Sequence, residues 1–419
     1  MRMLFLLLLL SGFALRSFPQ AAEEYETELS QGAATFNALG GWRGVFHLRA
    51  DLDVPINFEI RAGRDGAPEL FFRNADELFE GGAIRQTADS LLIPLNQFDN
   101  ELAFRIQDDA LTGVLRRQDG TGQPLAISAT RATTLRFSEN GASPAKDISG
   151  TYAITFANPN GKEERSVGIF KQSGSRLVAT FLRVTGDSRY LEGVVEADSF
   201  RLSSFIGSGP SLYVGAIRPD GSLAGQSLGA RGALPFTGTP DPNAKLPDAY
   251  TLTFLKEGYK SLDFSFPDVD GHLVSLKDPK YRNKVVVVTI GGTWCPNCID
   301  ETAFLAPWYL ANRSRGVEVI SIQYERRADS AFVRKALTRM RQRYDIRYDQ
   351  IVGGIADKQA VAASLPALNT FLAFPTTIFI DRQGGVAKIH TGFTGPATGK
   401  YYDDFIKEFN DEIDSLLKK

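Results

Sequence analysis

The chain contains two cysteines, Cys295 and Cys298, with two residues between them. A pair so spaced can exchange electrons with a disulfide: one thiolate attacks a sulfur, and the other resolves the mixed disulfide that forms. The segment Thr293-Trp294-Cys295-Pro296-Asn297-Cys298 directly follows an apolar run at 284–290 and opens a stretch of helical pattern. At a helix N-terminus the unpaired N–H groups and the dipole stabilise a thiolate. Helix position therefore makes Cys295 the exposed attacking thiol and Cys298, almost one turn later, the shielded resolving thiol. Pro296 falls at an early helical position, where a missing N–H costs nothing. The loop that such a disulfide closes is too small to serve as a structural staple. Zinc is disfavoured, because there is no second cysteine pair and His47, His272 and His390 are scattered.

Other patterns fail on spacing. Gly395-Pro-Ala-Thr-Gly399-Lys400-Tyr401 has its glycines one residue too close for a phosphate loop, and Tyr401 replaces the magnesium-binding hydroxyl. Asp268-Val-Asp270-Gly271 would need Glu, not Pro279, at position 12 of a calcium loop. The arginine-rich stretch 326–347 reads as a solvated helix face. A cysteine peroxidase is a closer alternative, but Gly292 stands where its threonine or serine belongs.

The elements around the pair alternate in type. Strand patterns at 284–290, 317–324, 376–381 and 386–391 are separated by helical patterns at 295–312, 330–344, 358–365 and 401–417, which reads as an α/β domain. The run at 284–290 includes four consecutive valines, as a strand buried on both faces requires. Upstream, residues 36–228 consist of short alternating runs separated by turn residues, an all-β pattern. Gly41-Trp42 and Thr151-Tyr152, Asp89-Ser90 and Asp198-Ser199, and Leu111-Thr-Gly113 and Leu223-Ala-Gly225 match at offsets of 109–112 residues. The near-constant offset predicts a duplicated antiparallel barrel or sandwich of about six strands per half. Pro235, Pro240 and Pro242 then mark a linker. The expected organisation is a signal peptide at 1–22, β-rich repeats at 30–136 and 147–235, a linker at 236–250 and the α/β domain at 251–419.

The length of 419 residues fits two or three domains, and 43% hydrophobic against 23% charged residues excludes a mainly disordered chain. A net charge of −2 excludes the basic excess of a nucleic-acid binder. Arg2 followed by an apolar run to Leu15, too short to span a membrane, reads as a cleaved export signal. With no lipid-attachment cysteine after it, the protein is expected in the periplasm or otherwise outside the cytoplasm, where thiols meet an oxidising environment.

The motifs Asp263-Phe-Ser-Phe-Pro-Asp-Val-Asp-Gly271, Lys284-Val-Val-Val-Val, Trp294-Cys-Pro-Asn-Cys298 and Phe374-Pro375-Thr-Thr-Ile-Phe-Ile-Asp381 resemble, in that order, the TlpA/ResA-type thioredoxin-like thiol–disulfide oxidoreductases. The resemblance covers roughly 255–419. It implies a thioredoxin fold with an N-terminal hairpin and an inserted element, a cis Pro375 against the thiols, and a substrate side formed by Trp294, Pro296, Phe374 and Pro375. It further implies that Glu301 assists proton movement, that no cofactor is needed, and that the partners are protein disulfides and a membrane-embedded thiol reductant. Thr289 departs from thioredoxin itself, which has a buried aspartate there; a threonine accepts no proton at neutral pH. Asn297, neutral between the cysteines, suggests a comparatively reducing couple. The β-rich region, without any chemical motif, is expected to position the catalytic domain or to pair two chains. The competing reading makes the whole an envelope-binding scaffold, with the thioredoxin-like part as a docking module.

Overall fold

The computed structural model describes residues 36–63, 66–95, 97–131, 135–137, 142–229 and 232–419. The expected signal peptide at 1–22 lies outside them.

The first sheet is built from β1 (Gly40–Arg49), β2 (Leu52–Ala62), β3 (Pro68–Asn74), β4 (Glu77–Ala83), β5 (Arg85–Gln86), β6 (Ser90–Leu95), β7 (Asn100–Gln107), β8 (Ala110–Arg117) and β9 (Leu125–Arg131). They curl into a barrel-like, wholly antiparallel sheet in the order β4-β3-β2-β1-β9-β8-β7-β6-β5. Period-two alternation drives this: Ile56, Phe58 and Ile60 are buried while Asn57 and Glu59 between them face outward.

The second sheet contains β10 (Gly150–Ala157), β11 (Glu163–Ser173), β12 (Arg176–Arg183), β13 (Gly186–Asp187), β14 (Leu191–Glu196), β15 (Ser199–Ser204), β16 (Ser211–Ile217), β17 (Leu223–Gly229) and β18 (Gly232–Pro240). Its order is β11-β10-β18-β17-β16-β15-β14-β12-β13, and a further β11–β12 pairing closes it into a barrel. An aromatic core of Tyr152, Phe156, Phe170, Phe181, Phe200 and Phe236 fills the interior. Closure removes most of the free strand edge through which this half could pair with a second chain.

Each sheet has nine strands rather than about six. The alternation was too weak to reveal β4, interrupted by Gly81 and Gly82, or β9, whose inward positions alternate with small residues. The expected linker at 236–250 is also corrected, because residues 236–240 belong to β18, the strand that pairs with both β10 and β17. Its prolines are tolerated because each sits where only one neighbour reaches: Pro235 opposite Gln226 of β17, and Pro240 opposite Tyr152 of β10.

The C-terminal region carries a two-stranded hairpin, β19 (Ser265–Pro267) and β20 (Leu273–Ser275), before its central sheet. That sheet contains β21 (Val285–Gly291), β22 (Val317–Glu325), β23 (Asp349–Ile355), β24 (Thr376–Ile380) and β25 (Val386–Thr391) in the order β23-β22-β21-β24-β25. The first three strands are parallel, and β24 and β25 run antiparallel. Around it lie α1 (Pro296–Asn312), α2 (Ser330–Tyr344), α3 (Lys358–Ser364) and α4 (Lys400–Leu417). Every residue of β21 is buried. This is the expected thioredoxin fold.

The regions are not independent. The core of the first sheet takes in Phe205, Ile206 and Leu212 of the second half and Ile299 of α1. The arginine-rich stretch expected to be solvated is on one side a docking face. Arg327 pairs with Asp119 at 2.5 Å and Arg339 with Asp99 at 3.3 Å, while Lys335 donates to Gln118 at 3.2 Å. The first sheet supplies Asp119 and Asp99 to one side of the stretch, while Arg334, Arg341 and Arg347 stay exposed as expected.

Candidate active site

The strand β21 delivers Thr293 to Cys298 into the start of α1. Cys295 is the N-cap: its backbone is extended, and its Sγ accepts the Cys298 N–H at 3.3 Å. The same thiol donates to the Phe374 carbonyl at 3.6 Å, across the cis Phe374–Pro375 peptide. Cys295, Cys298 and the Phe374–Pro375 turn are thus brought together. Trp294 completes that side. Its indole donates to the Tyr324 carbonyl at 2.9 Å, its ring meets Phe374 edge-on with centroids 5.3 Å apart, and Arg326 lies over it at 5.0 Å. Pro296 occupies the first helical position, half-buried beside Cys295.

Both cysteines are free thiols, and both are buried: Cys295 is 6% exposed and Cys298 2%. Helix position alone led us to expect an exposed Cys295. That is corrected by the β-region, which packs over the helix start. Burial pushes the Cys298 thiol well up, and its contact with Cys295 and the nearby Glu301 charge push the same way.

Glu301 is buried one turn after Cys298, and Thr377 Oγ1 donates to it at 2.5 Å. Burial lifts its carboxyl to about 8, with the Thr377 bond opposing. Thr377 stands opposite Thr289 in the β21–β24 ladder, and Thr289 donates to Ser321 at 3.0 Å. A buried polar row therefore lies beneath the thiols, and Thr289 serves in it as a hydroxyl rather than as an acid.

Sequence reasoning missed several neighbours of this site. Glu325, the buried last residue of β22, accepts both the Thr293 N–H and the Thr293 hydroxyl at 2.8 Å, and burial raises its carboxyl to about 7. A carboxylate at the buried end of a strand leading to the site was the signal available for it. Gln97, which precedes β7, donates to the Thr293 carbonyl at 3.3 Å. Arg189, from the loop after β13, contacts the Pro296 carbonyl at 3.5 Å and pairs with both Glu77 and Asp300. Nothing local in the sequence marks Gln97 or Arg189, because their role depends on how whole domains dock.

Residues 256–404 match the Redoxin family. Over 142 residues the chain is 27% identical to the thiol–disulfide oxidoreductase ResA of Geobacillus kaustophilus, covering 33% of this chain and 72% of that protein. The ResA of Bacillus subtilis is also 27% identical, over 33% of this chain and 69% of its own length. Among solved structures, a thiol–disulfide oxidoreductase from Bacteroides fragilis aligns at 18% identity with a TM-score of 0.28, over 36% of this chain and 99% of that one. The C-terminal region is therefore a redoxin domain of the thioredoxin-like class. Within that class it is similar to the ResA-type thiol–disulfide oxidoreductases.

Proposed function

We propose that the chain is an exported oxidoreductase that reduces disulfides on other exported proteins through Cys295 and Cys298. The observation that carries this reading is the joint placement of the Cys295 thiol against the Cys298 N–H and the Phe374 carbonyl. Cys295, as thiolate, attacks one sulfur of the substrate disulfide. A Cys295–substrate bond forms and the other substrate sulfur leaves as a thiolate. Cys298 then attacks the Cys295 sulfur, closing the internal disulfide and expelling the second substrate sulfur. Two electrons pass to the substrate, and the two thiol protons end on its sulfurs.

Glu301 handles the Cys298 proton. A carboxyl near 8 beside a thiol whose own proton is held tightly is closer to it in acidity than an ordinary glutamate, so a proton can pass either way. Trp294, Pro296, Phe374 and Pro375 border the approach to Cys295. A membrane-embedded thiol donor would regenerate the pair. Export rests on the apolar run after Arg2. Pairing of two chains, if formed through the β-region, falls to the unclosed first sheet.

Trapping tests the roles. Cys298→Ala should accumulate mixed disulfides with natural substrates, and Cys295→Ala very few; equal trapping by both would contradict the assignment. A redox titration tests direction. A potential near about −120 mV, typical of strongly oxidising enzymes, would overturn the reductant role.

A further inference from the structure

The β-region does not merely hold the redoxin domain; parts of it stand at the rim of the C-x-x-C segment. The β12–β13 hairpin turns through Val184 and Thr185, with Leu182 opposite Asp187 and Arg183 opposite Gly186. Its tip is pressed onto the active-site loops. A Cβ on Gly186, whose φ is +126°, would lie 1.7 Å from the Asn297 side-chain nitrogen, between the two cysteines. A Cβ on Gly392 would lie 2.4 Å from the Val184 carbonyl oxygen. Both contacts are closer than a side chain permits, so the fit is built on glycine at each side.

Polar contacts fix the hairpin in this place. Asp187 accepts the Gly395 N–H at 2.6 Å and the Arg189 N–H at 2.6 Å. Arg189, buried, ties Glu77 of β4 to Asp300 of α1 and reaches the Pro296 carbonyl. Burial opposes its charge, but Asp300, Glu77 and Asp187 around it raise its affinity for the proton. On the opposite side Gln97 holds the Thr293 carbonyl, and a cavity of only about 30 Å³ remains between Phe98 of the first half and Trp294. The approach to Cys295 is thus walled by one half of the β-region at Asn297 and by the other at Thr293. The Phe374–Pro375 turn forms a third side.

Resting on the oxidoreductase reading, we propose that the Gly186–Arg189 wall makes the site select substrates by cross-section. It admits disulfides carried on a slender group, either a single extended polypeptide segment or a small molecule, and rejects those set in a folded protein surface. The attacking sulfur must reach its target in line with the bond that breaks. A thiol left 6% exposed between fixed walls cannot meet a broad, curved surface.

The test uses the full-length reduced protein and three disulfides: glutathione disulfide, a short unstructured peptide carrying a glutathione mixed disulfide, and folded insulin. Each rate is divided by that of dithiothreitol with the same disulfide, so that only the protein's selection remains. The slender probes should exceed insulin by roughly tenfold or more, and Gly186→Ala, which forces the hairpin off Asn297, should reduce that preference to about threefold. Preference for the peptide over glutathione disulfide identifies the extended chain as the natural source, and the reverse identifies the small molecule. Equal normalised rates in the unmodified protein would overturn the proposal, as would a Gly186→Ala variant that accelerates all three alike. Asp187→Asn, which keeps shape but weakens the grip on Gly395, gives the same comparison if the alanine variant misfolds.

Alkylation of Cys295, mapped by mass spectrometry, supplies an independent reading. Iodoacetamide should outpace a polymer-bearing maleimide by a larger factor than with free glutathione, and an unchanged factor would overturn the wall. Absence of exchange with every disulfide, alongside a strong alkylation bias, would instead fell the oxidoreductase reading and leave the wall standing.

Discussion

The two halves of the β-region have the same number of strands but close in different ways. The second completes its ring through the β11–β12 pairing and fills it with its own aromatic rings. The first shows no such closing pairing among the described residues, and its apolar core continues into Phe205, Ile206 and Leu212 of its neighbour and Ile299 of the catalytic helix. A closed barrel can be a self-sufficient unit. An open one finishes its core with whatever docks on it, and here that includes the residue after Cys298. The difference teaches that the first half is energetically part of the active site, while the second reaches it through the β12–β13 hairpin and the Arg189 that follows it.

The largest expected effect tests the self-sufficiency of the second barrel. Phe200→Ala, in its core, should cost about 3–5 kcal/mol in denaturant unfolding. The iodoacetamide rate of Cys295 in the folded fraction should stay unchanged; a clear rise would break the contrast. Ile299→Ala should cost about 2–5 kcal/mol by the same cavity argument, yet here the Cys295 rate should rise. Combined with Phe98→Ala it should show a coupling of about 0.5–3 kcal/mol, whereas with Phe200→Ala the costs should add.

The pH dependence separates the redoxin core from both barrels. The Glu301 carboxyl is raised from 4.5 to about 8 in the folded chain. Between those values the folded state holds a proton that the unfolded chain has released. Its contribution is therefore fully present below the unfolded value and is lost as pH rises toward the folded one. Measured as the difference between the native protein and Glu301→Gln across that window, the loss should be about 4 kcal/mol. A flat difference would remove Glu301 from the buried row. The smallest effect belongs to the docking face: Asp119→Asn, which breaks the half-exposed pair with Arg327, should cost about 0–1 kcal/mol and less at high salt.

What was legible in the sequence follows the range of the interactions. The redoxin fold could be read because its signals are local: four valines in a doubly buried strand, a cysteine pair opening a helix, and Phe374-Pro375 heading β24. The β-region could be read as β but not counted, since glycines in β4 and prolines in β18 hid strands that only their neighbours define. The sequence pointed to Cys295, Cys298, Glu301 and the Phe374–Pro375 turn, which the fold places near one another. Gln97, Asp187 and Arg189 were not, because a polar residue in a turn looks the same whether it faces water or a neighbouring domain. The expectation that Cys295 would be exposed failed for that reason too.

The Arg189 cluster also sets an order of assembly. Glu77 lies 112 residues before Arg189, and Asp300 comes from the region that follows both barrels. As the chain emerges from N- to C-terminus, the two barrels can meet and join Glu77 to Arg189 while the cysteines are still unmade. The pair then waits as a partly filled socket until α1 brings Asp300. Without Asp300 docked on Arg189, Cys295 would be open to disulfides that the finished molecule excludes.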